Sequence, residues 1–144
     1  MVCTVDRSRI DGLHCRCLRK ICKIPHSMIS HITNAEVLIT AGVPLLTAMV
    51  DKKQLLFYGK IAALPNESGL RSVAFENNAV MPKLLQGTRT RGRPRLCWIG
   101  VQHARAIDAV GGNQIDLNHV FQNREAAGKR WRHIVNAHFP SVTS

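Results

Sequence analysis

Acidic residues are scarce in this sequence. Nine Asp and Glu stand against twenty Lys and Arg among its 144 residues, which gives a formal net charge of +11. Such an excess of positive charge disfavours basic partners and favours polyanions, of which nucleic acid is the leading class.

Aromatic residues and long apolar runs are scarce as well. At 5% aromatic content the core has to be built mainly from aliphatic side chains, although the total hydrophobic content of 45% is ordinary. No apolar run reaches the length of a signal peptide or a membrane span, and the five cysteines are an odd number. We therefore expect an intracellular protein in a reducing compartment, with no membrane partner.

Several common catalytic motifs are also missing. The nine acids are scattered, with no close pair of the kind that holds catalytic metal ions in nucleases and polymerases. Neither a phosphate-binding Gly-x-x-x-x-Gly-Lys-Ser/Thr loop nor a Gly-x-Ser-x-Gly nucleophile motif occurs. We expect no catalytic residue and no cofactor.

Histidines and cysteines near the N-terminus are of the types that bind zinc, but their spacing disfavours a site. These residues are His14, Cys15, Cys17, Cys22, His26 and His31. Structural zinc sites usually pair two cysteines around a turn, whereas Cys15 and Cys17 lie on a predicted helix and point about 160° apart. We interpret Cys17 as a small core residue and expect no metal.

The spacing of apolar residues predicts helices throughout the N-terminal part. A basic amphipathic helix is expected before Pro25, with an inward stripe formed by Ile10, Leu13, Cys17, Ile21 and Ile24. Thr33 and Glu36 have the spacing of a capping box, which predicts a short helix over residues 35–41 that ends at Gly42. A third helix is predicted from Pro44 to just before Pro65.

The C-terminal part predicts two more long helices. One begins at Pro94 and ends at Gly111-Gly112, and the last begins at a cap residue, Asp116, and runs through Val135. Between the two parts, residues 66–90 are less periodic, with one short helix near residues 70–75. We expect an all-α fold of five to six helices in two lobes, residues 1–65 and 94–144, joined by a basic loop at 66–93.

Three further residues are interpreted as packing residues. His103 is a lone histidine on an apolar helix face, which is typical of a hydrogen-bonded core residue rather than a catalytic one. Trp98 and Trp131 stand at helical spacing from other apolar residues, which favours core anchors over base-stacking platforms. Lys52 falls within an apolar stripe, so its stem is expected to lie along the core edge.

Positive charge is concentrated in three segments. Six basic residues lie between Arg7 and Lys23, four between Arg89 and Arg95, and four between Arg124 and Arg132. The middle segment contains Arg-Gly-Arg-Pro at residues 91–94, which is the core of the AT-hook pattern that enters the minor groove of A·T-rich DNA. The alternative is a solvated loop whose Pro94 begins a helix, and the residues alone leave both interpretations open.

The order of the motifs resembles one known family. The N-terminal motifs are Cys17-Leu18-Arg19-Lys20-Ile21, Lys23-Ile24-Pro25, Thr33-Asn34-Ala35-Glu36-Val37-Leu38 and Ala41-Gly42-Val43-Pro44. They are followed by Gln54-Leu55-Leu56-Phe57-Tyr58-Gly59-Lys60, Arg91-Gly92-Arg93-Pro94-Arg95 with Trp98, and Lys129-Arg130-Trp131-Arg132. Together they are similar to the region that follows the reverse transcriptase domain in non-LTR (LINE-type) retrotransposons. Lys60 and Ala63 depart from the His and Arg that are usual in that family.

The resemblance implies a function. Because the polymerase and endonuclease regions are absent from these residues, it implies a detached, non-catalytic C-terminal piece that positions template RNA or target DNA in the nucleus, beside a reverse transcriptase domain. The expected phosphate contacts are Arg16, Arg19, Lys20, Lys23, Arg89, Arg91, Arg93, Arg95, Lys129, Arg130 and Arg132. Two alternatives are a stand-alone AT-hook protein and a structural remnant without a ligand.

Overall fold

Helices make up every regular element that the structure describes. A computed structural model describes residues 4–76, 79–83 and 98–139, with side chains from Asp6 onward. The eight helices of these residues are α1 (Thr4–Ile21), α2 (Ser27–Ser30), α3 (Asn34–Ala41), α4 (Leu46–Ala63), α5 (Gly69–Ala74), α6 (Trp98–Ala109), α7 (Gln114–Gln122) and α8 (Arg124–His138). The predicted all-α fold is confirmed. The helices outnumber the five to six expected because the one-turn helix α2 precedes α3 and the last predicted helix is divided in two.

The length and apolar character of these helices bear on membrane insertion. No single described helix is both long enough and apolar enough to cross a membrane. Helices α3 and α4 meet those requirements only when they are taken together across the bend between them.

The chain divides into two compact units. The first is formed by residues 1–52 with 139–144, and the second by residues 53–138. The division therefore falls inside α4, upstream of the linker that the sequence predicted at residues 66–93.

In the first unit, helix α1 packs with a different face from the predicted one. Cys15 and Arg19 are buried, whereas Leu13, Cys17 and Ile21 are exposed. The predicted inward stripe was therefore wrong, and so was the placement of Cys17 in the core. Polar residues of α1 point inward and make specific contacts there. The prediction from the spacing of apolar residues failed because it assigns every polar residue to solvent.

Two of those polar contacts join α1 to α4. Arg7 donates two hydrogen bonds to the carboxylate of Asp51, at 2.7 and 2.8 Å. Asp11 accepts from the backbone N–H of Thr47 at 3.0 Å and from the Thr47 hydroxyl at 2.6 Å. Since the first N–H groups of a helix have no partner within it, Asp11 caps the start of α4 from another helix.

Helix α3 is delimited by local signals, as predicted. The Thr33 N–H donates to the Glu36 carboxylate at 2.6 Å, and the Glu36 N–H donates to the Thr33 hydroxyl at 3.3 Å. The hydrogen bonds that the Thr33 N–H and hydroxyl donate to the carboxylate lower the pKa of Glu36. Gly42 ends the helix with φ of 65°, a left-handed conformation that glycine adopts without a steric cost. The predicted capping box and C-cap are confirmed.

An aromatic cluster forms the core of the second unit. The ring centroids of Tyr58 and Phe121 lie 5.9 and 5.4 Å from that of Trp131, and Phe75 packs edge-on against Tyr58. The indole Nε1 of Trp131 donates to the backbone oxygen of Leu55 at 2.7 Å. The expected role of Trp131 as a core anchor is confirmed, because this side chain is only 2% exposed.

Asparagine delimits the last two helices. The side chain of Asn113 accepts from the N–H of Ile115 at 3.0 Å and caps α7, so the predicted cap at Asp116 was wrong. Asn123 adopts an extended conformation that ends α7 and separates it from α8. This break divides the single helix predicted over residues 116–135.

His103 lies buried in the second unit, as its position on an apolar face predicted. Its Nδ1 and the Tyr58 hydroxyl share a hydrogen bond of 2.8 Å. Burial lowers the pKa of His103, and a hydrogen bond with Gln114 opposes part of that shift. The neutral imidazole is therefore the form that the folded state favours.

This burial predicts a pH-dependent stability. Since the folded-state pKa of His103 lies below its unfolded value of about 6.5, its contribution is fully present above that pH and is lost as the pH falls through the folded-state pKa. We expect wild type to lose stability as the pH falls below about 6.5, by at most about 1.4 kcal/mol per pH unit for this group. Urea unfolding of wild type and His103→Gln tests it. An identical pH dependence in both proteins would contradict the assignment.

Candidate nucleic-acid interface

Helix α1 presents a basic stripe on its exposed side. Arg9, Arg16 and Lys20 are exposed and fall on one face of a helix of 3.6 residues per turn, and exposed Lys23 follows the last turn. The guanidinium of Arg16 makes a long hydrogen bond of 3.4 Å with the oxygen of Gly12 in its own helix. We call Arg9, Arg16, Lys20 and Lys23 the α1 stripe. Arg16, Lys20 and Lys23 were predicted as phosphate contacts, and Arg9 was not.

Arg19 is not available for a phosphate contact, which corrects the sequence interpretation. Its side chain is 5% exposed, and its guanidinium donates to the backbone oxygens of Pro25 and Ile32. It also reaches the side-chain oxygens of Ser30 and Asn34, each at 3.4 Å. With its donors used inside the first unit, Arg19 fixes the chain that follows α1.

Helix α8 carries the second set of predicted contacts. Lys129, Arg130 and Arg132 are all exposed. Among the described residues, none of the three has a carboxylate partner within salt-bridge distance. Glu125 lies one helical turn before Lys129 and is the acid closest to them along the helix. Their charges are therefore directed to solvent.

A groove lies in the second unit where the Trp131 ring of α8 packs against Gly59 of α4. The approach is close, because a Cβ atom at position 59 would lie 2.6 Å from Cγ of Trp131 and closer still to Cδ1 and Nε1. Gly59, Gly128 and Trp131 are among the residues that line the groove, whose volume is about 330 Å³. Its basic lining residues are Lys53 and Lys60 of α4 and Arg132 of α8. We call this feature the α4–α8 groove, and within the described part of the chain no acidic residue lines it.

An aromatic side chain stands in the same groove. Phe57 lies on α4 between Lys53 and Lys60 and is 50% exposed. Its ring contacts Trp98 of α6, with centroids 5.6 Å apart and planes inclined by 51°. Trp98 is half-buried, so the predicted core role describes it only in part.

A second cavity, of about 410 Å³, is lined by Arg71 and Arg124. Arg71 is 2% exposed, donates to the backbone oxygen of Ala62 and to the side chain of Asn66, and lies over the Phe75 ring. Burial lowers the pKa of Arg71, and the nearby charge of Arg124 adds to this effect. Because its donors serve the fold of the second unit, Arg71 acts as a packing residue.

The remaining sequence predictions concern the arginines of residues 89–95, a metal site, the cysteines of α1 and Lys52. Arg89, Arg91, Arg93 and Arg95, with the AT-hook-like motif, lie outside the described residues, so their roles stay predictions. Within the described part, no three histidines, cysteines or acids stand close enough together to hold a metal ion. The buried cysteine of α1 is Cys15, and burial raises the pKa of its thiol. The half-buried Lys52 donates to the backbone oxygen of Phe139 at 3.4 Å, as expected for a stem along the core edge.

Lys53, Phe57 and Lys60 were missed by the sequence interpretation. The available signal was their spacing: positions four and seven residues after Lys53 fall on one face of a helix. That face was interpreted as part of an apolar stripe, and its exposure depends on how α8 packs against α4.

Comparison with family models, curated proteins and solved structures finds no significant match for this chain.

Proposed function

We propose that this chain binds nucleic acid through its phosphate backbone, as a non-catalytic C-terminal piece of a non-LTR retrotransposon reverse transcriptase. The observation that supports the proposal is the exposure of the basic residues that the sequence predicted as phosphate contacts. Six of the seven within the described part are exposed and have no carboxylate partner there, namely Arg16, Lys20, Lys23, Lys129, Arg130 and Arg132. Arg19 is the exception.

The physical basis of the binding is counterion release. Each lysine or arginine that contacts a phosphate displaces condensed cations from the nucleic acid, so affinity is high at low salt and falls steeply as salt is added. Such contacts fix position without reading sequence. They suit a segment that positions template RNA or target DNA beside a polymerase in the nucleus.

Neutralising the α8 residues tests this proposal. We expect Lys129→Gln/Arg130→Gln/Arg132→Gln to weaken binding to a mixed-sequence duplex by about tenfold or more at 0.1 M salt. The log–log salt slope should become shallower by about 2 to 3, at about 0.9 per lost phosphate contact. Fluorescence anisotropy across a salt series measures both quantities. All three side chains are exposed, so unfolding midpoints should stay near wild type.

A charge-conserving variant is the matched control. Lys129→Arg/Arg130→Lys/Arg132→Lys keeps three positive charges on α8 and should keep most of the affinity and the salt slope. If the neutralised variant binds as tightly as wild type and with the same slope, α8 makes no phosphate contact. Equal weakening in both triple variants would show that shape rather than charge matters there.

A second candidate function is docking on another protein by the first unit. Its surface carries many large exposed apolar side chains: Leu13, Ile21, Met28, Ile29, Ile39, Leu45, Met49 and Val50. Exposed apolar surface on this scale is typical of an interaction site. Light scattering coupled to size-exclusion chromatography tests the self-associating form of this candidate, and a monomer at high concentration would count against it.

A further inference from the structure

The α4–α8 groove combines charge with an exposed aromatic ring. Lys53, Lys60 and Arg132 line it together with a half-exposed Phe57, and no acidic residue does so among those that the structure describes. We propose that this groove binds single-stranded nucleic acid, with one base stacked on Phe57 and the flanking phosphates held by the three cations. This inference rests on the proposed function and narrows its ligand.

Phe57 is suited to stacking because of what surrounds it. Half of its surface is accessible, whereas Leu55 and Tyr58 of the same helix are buried. Its tilted contact with Trp98 limits the orientations of the ring. A base that stacks on an aromatic ring loses less freedom when the ring is already oriented.

The two lysines of α4 are spaced for a strand that runs along the helix. Lys53 and Lys60 are seven residues apart, which is about 10 Å along the helix axis, or the length of about three nucleotides of a stacked strand. Phe57 lies between them on the same face, so a base at its ring has phosphates on either side within reach of an ammonium group. Arg132 reaches the same strand from α8.

The geometry favours a single strand over a duplex. A duplex keeps its bases paired and stacked inside, so it would offer Phe57 only sugar and phosphate, whereas an unpaired base offers its full face. The volume of about 330 Å³ suits a short stretch of one strand rather than the side of a double helix. The shared feature of RNA and DNA single strands is this exposed base face, so both can bind.

Gly128 provides a way to block the groove without disturbing the fold. A Cβ atom at this position would have no heavy-atom neighbour within 4 Å, although Gly128 lines the groove. A leucine side chain at position 128 would therefore extend into the groove without displacing other side chains. Leucine also favours helix more than glycine does. This variant does not depend on removing Phe57, whose loss also removes the contact with Trp98.

The test compares a labelled single-stranded oligothymidylate of about twelve nucleotides with a mixed-sequence duplex of equal length, by anisotropy on the full chain. We expect Phe57→Ala and Gly128→Leu each to weaken single-strand binding about tenfold, while duplex binding changes less than twofold. Phe57→Trp keeps an aromatic face and should bind the single strand at least as tightly as wild type. Gly128→Ala replaces the same glycine with a much smaller side chain and is the control for Gly128→Leu.

Two outcomes would overturn the inference and are distinguishable. If wild type binds both probes and neither Phe57→Ala nor Gly128→Leu alters their ratio, the groove is not the single-strand site, although the proposed function stands. If wild type binds neither probe at low salt, the proposed function itself fails. Thermal unfolding of each variant shows whether a loss of binding reflects loss of the fold.

Discussion

Gly59→Ala should destabilise the second unit by about 3 kcal/mol, which is a large share of the stability of a small domain. The added methyl group would lie 2.6 Å from Cγ of Trp131 and closer to two other ring atoms, so α4 and α8 must move apart. That movement also weakens the hydrogen bond from Trp131 Nε1 to the oxygen of Leu55. Neither the ring nor the helix backbone can yield cheaply in a packed core.

Chemical unfolding measures this effect, and Gly128→Ala is the matched control. Both glycines lie within helices that form the same groove, but a Cβ atom at position 128 meets open space. We expect Gly128→Ala to stabilise the protein by about 0.5 to 1 kcal/mol, since alanine favours helix more than glycine does. Similar midpoints for the two variants would show that the Trp131 ring does not pack against Gly59.

Arg19→Met should destabilise the first unit by about 2 to 3 kcal/mol, because a buried cation with several acceptors is replaced by an apolar side chain. The backbone oxygens of Pro25 and Ile32 lose their charged donor in the variant. Hydrogen bonds to ionised groups are worth more than those between neutral groups, which makes this loss larger than that of an ordinary surface arginine. Urea unfolding monitored by circular dichroism measures the change.

Arg16→Met separates the structural role of Arg19 from a role in binding. Arg16 lies on the same helix, is exposed, and should change stability by no more than about 0.5 kcal/mol when substituted. For binding the order is reversed: Arg16→Met should weaken nucleic-acid affinity, and folded Arg19→Met should not. If Arg19→Met keeps wild-type stability but loses affinity, the interpretation of Arg19 as a structural residue is wrong.

The features that depend on neighbouring residues were predictable from the sequence. The capping box of Thr33 and Glu36 and the left-handed Gly42 are set within a few residues, so α3 was located almost to the residue. The burial of Trp131 and His103 followed from helical spacing alone. By contrast, the cap of α4 comes from Asp11, which is 36 residues away in the chain, and no local pattern signals it.

The candidate site was predictable in its charge but not in its geometry. Clustered lysines and arginines mark a polyanion-binding segment in any fold, but whether one of them is exposed depends on tertiary contacts. Arg19 and Lys20 are adjacent in the sequence, yet Arg19 is buried among backbone oxygens and Lys20 is exposed. The α4–α8 groove requires the close packing of Trp131 against Gly59, and a sequence shows only that a glycine is present there.

The central claim is that this chain binds nucleic acid through its phosphates. The most direct measurement is fluorescence anisotropy of the purified chain against a labelled RNA hairpin, an A·T-rich duplex and a mixed duplex across a salt series. We expect all three to bind at low salt, with a log–log slope of about −3 or steeper for the duplexes, as three or more phosphate contacts require. Absence of binding to all three at about 50 mM salt, or a slope near zero, would contradict the claim.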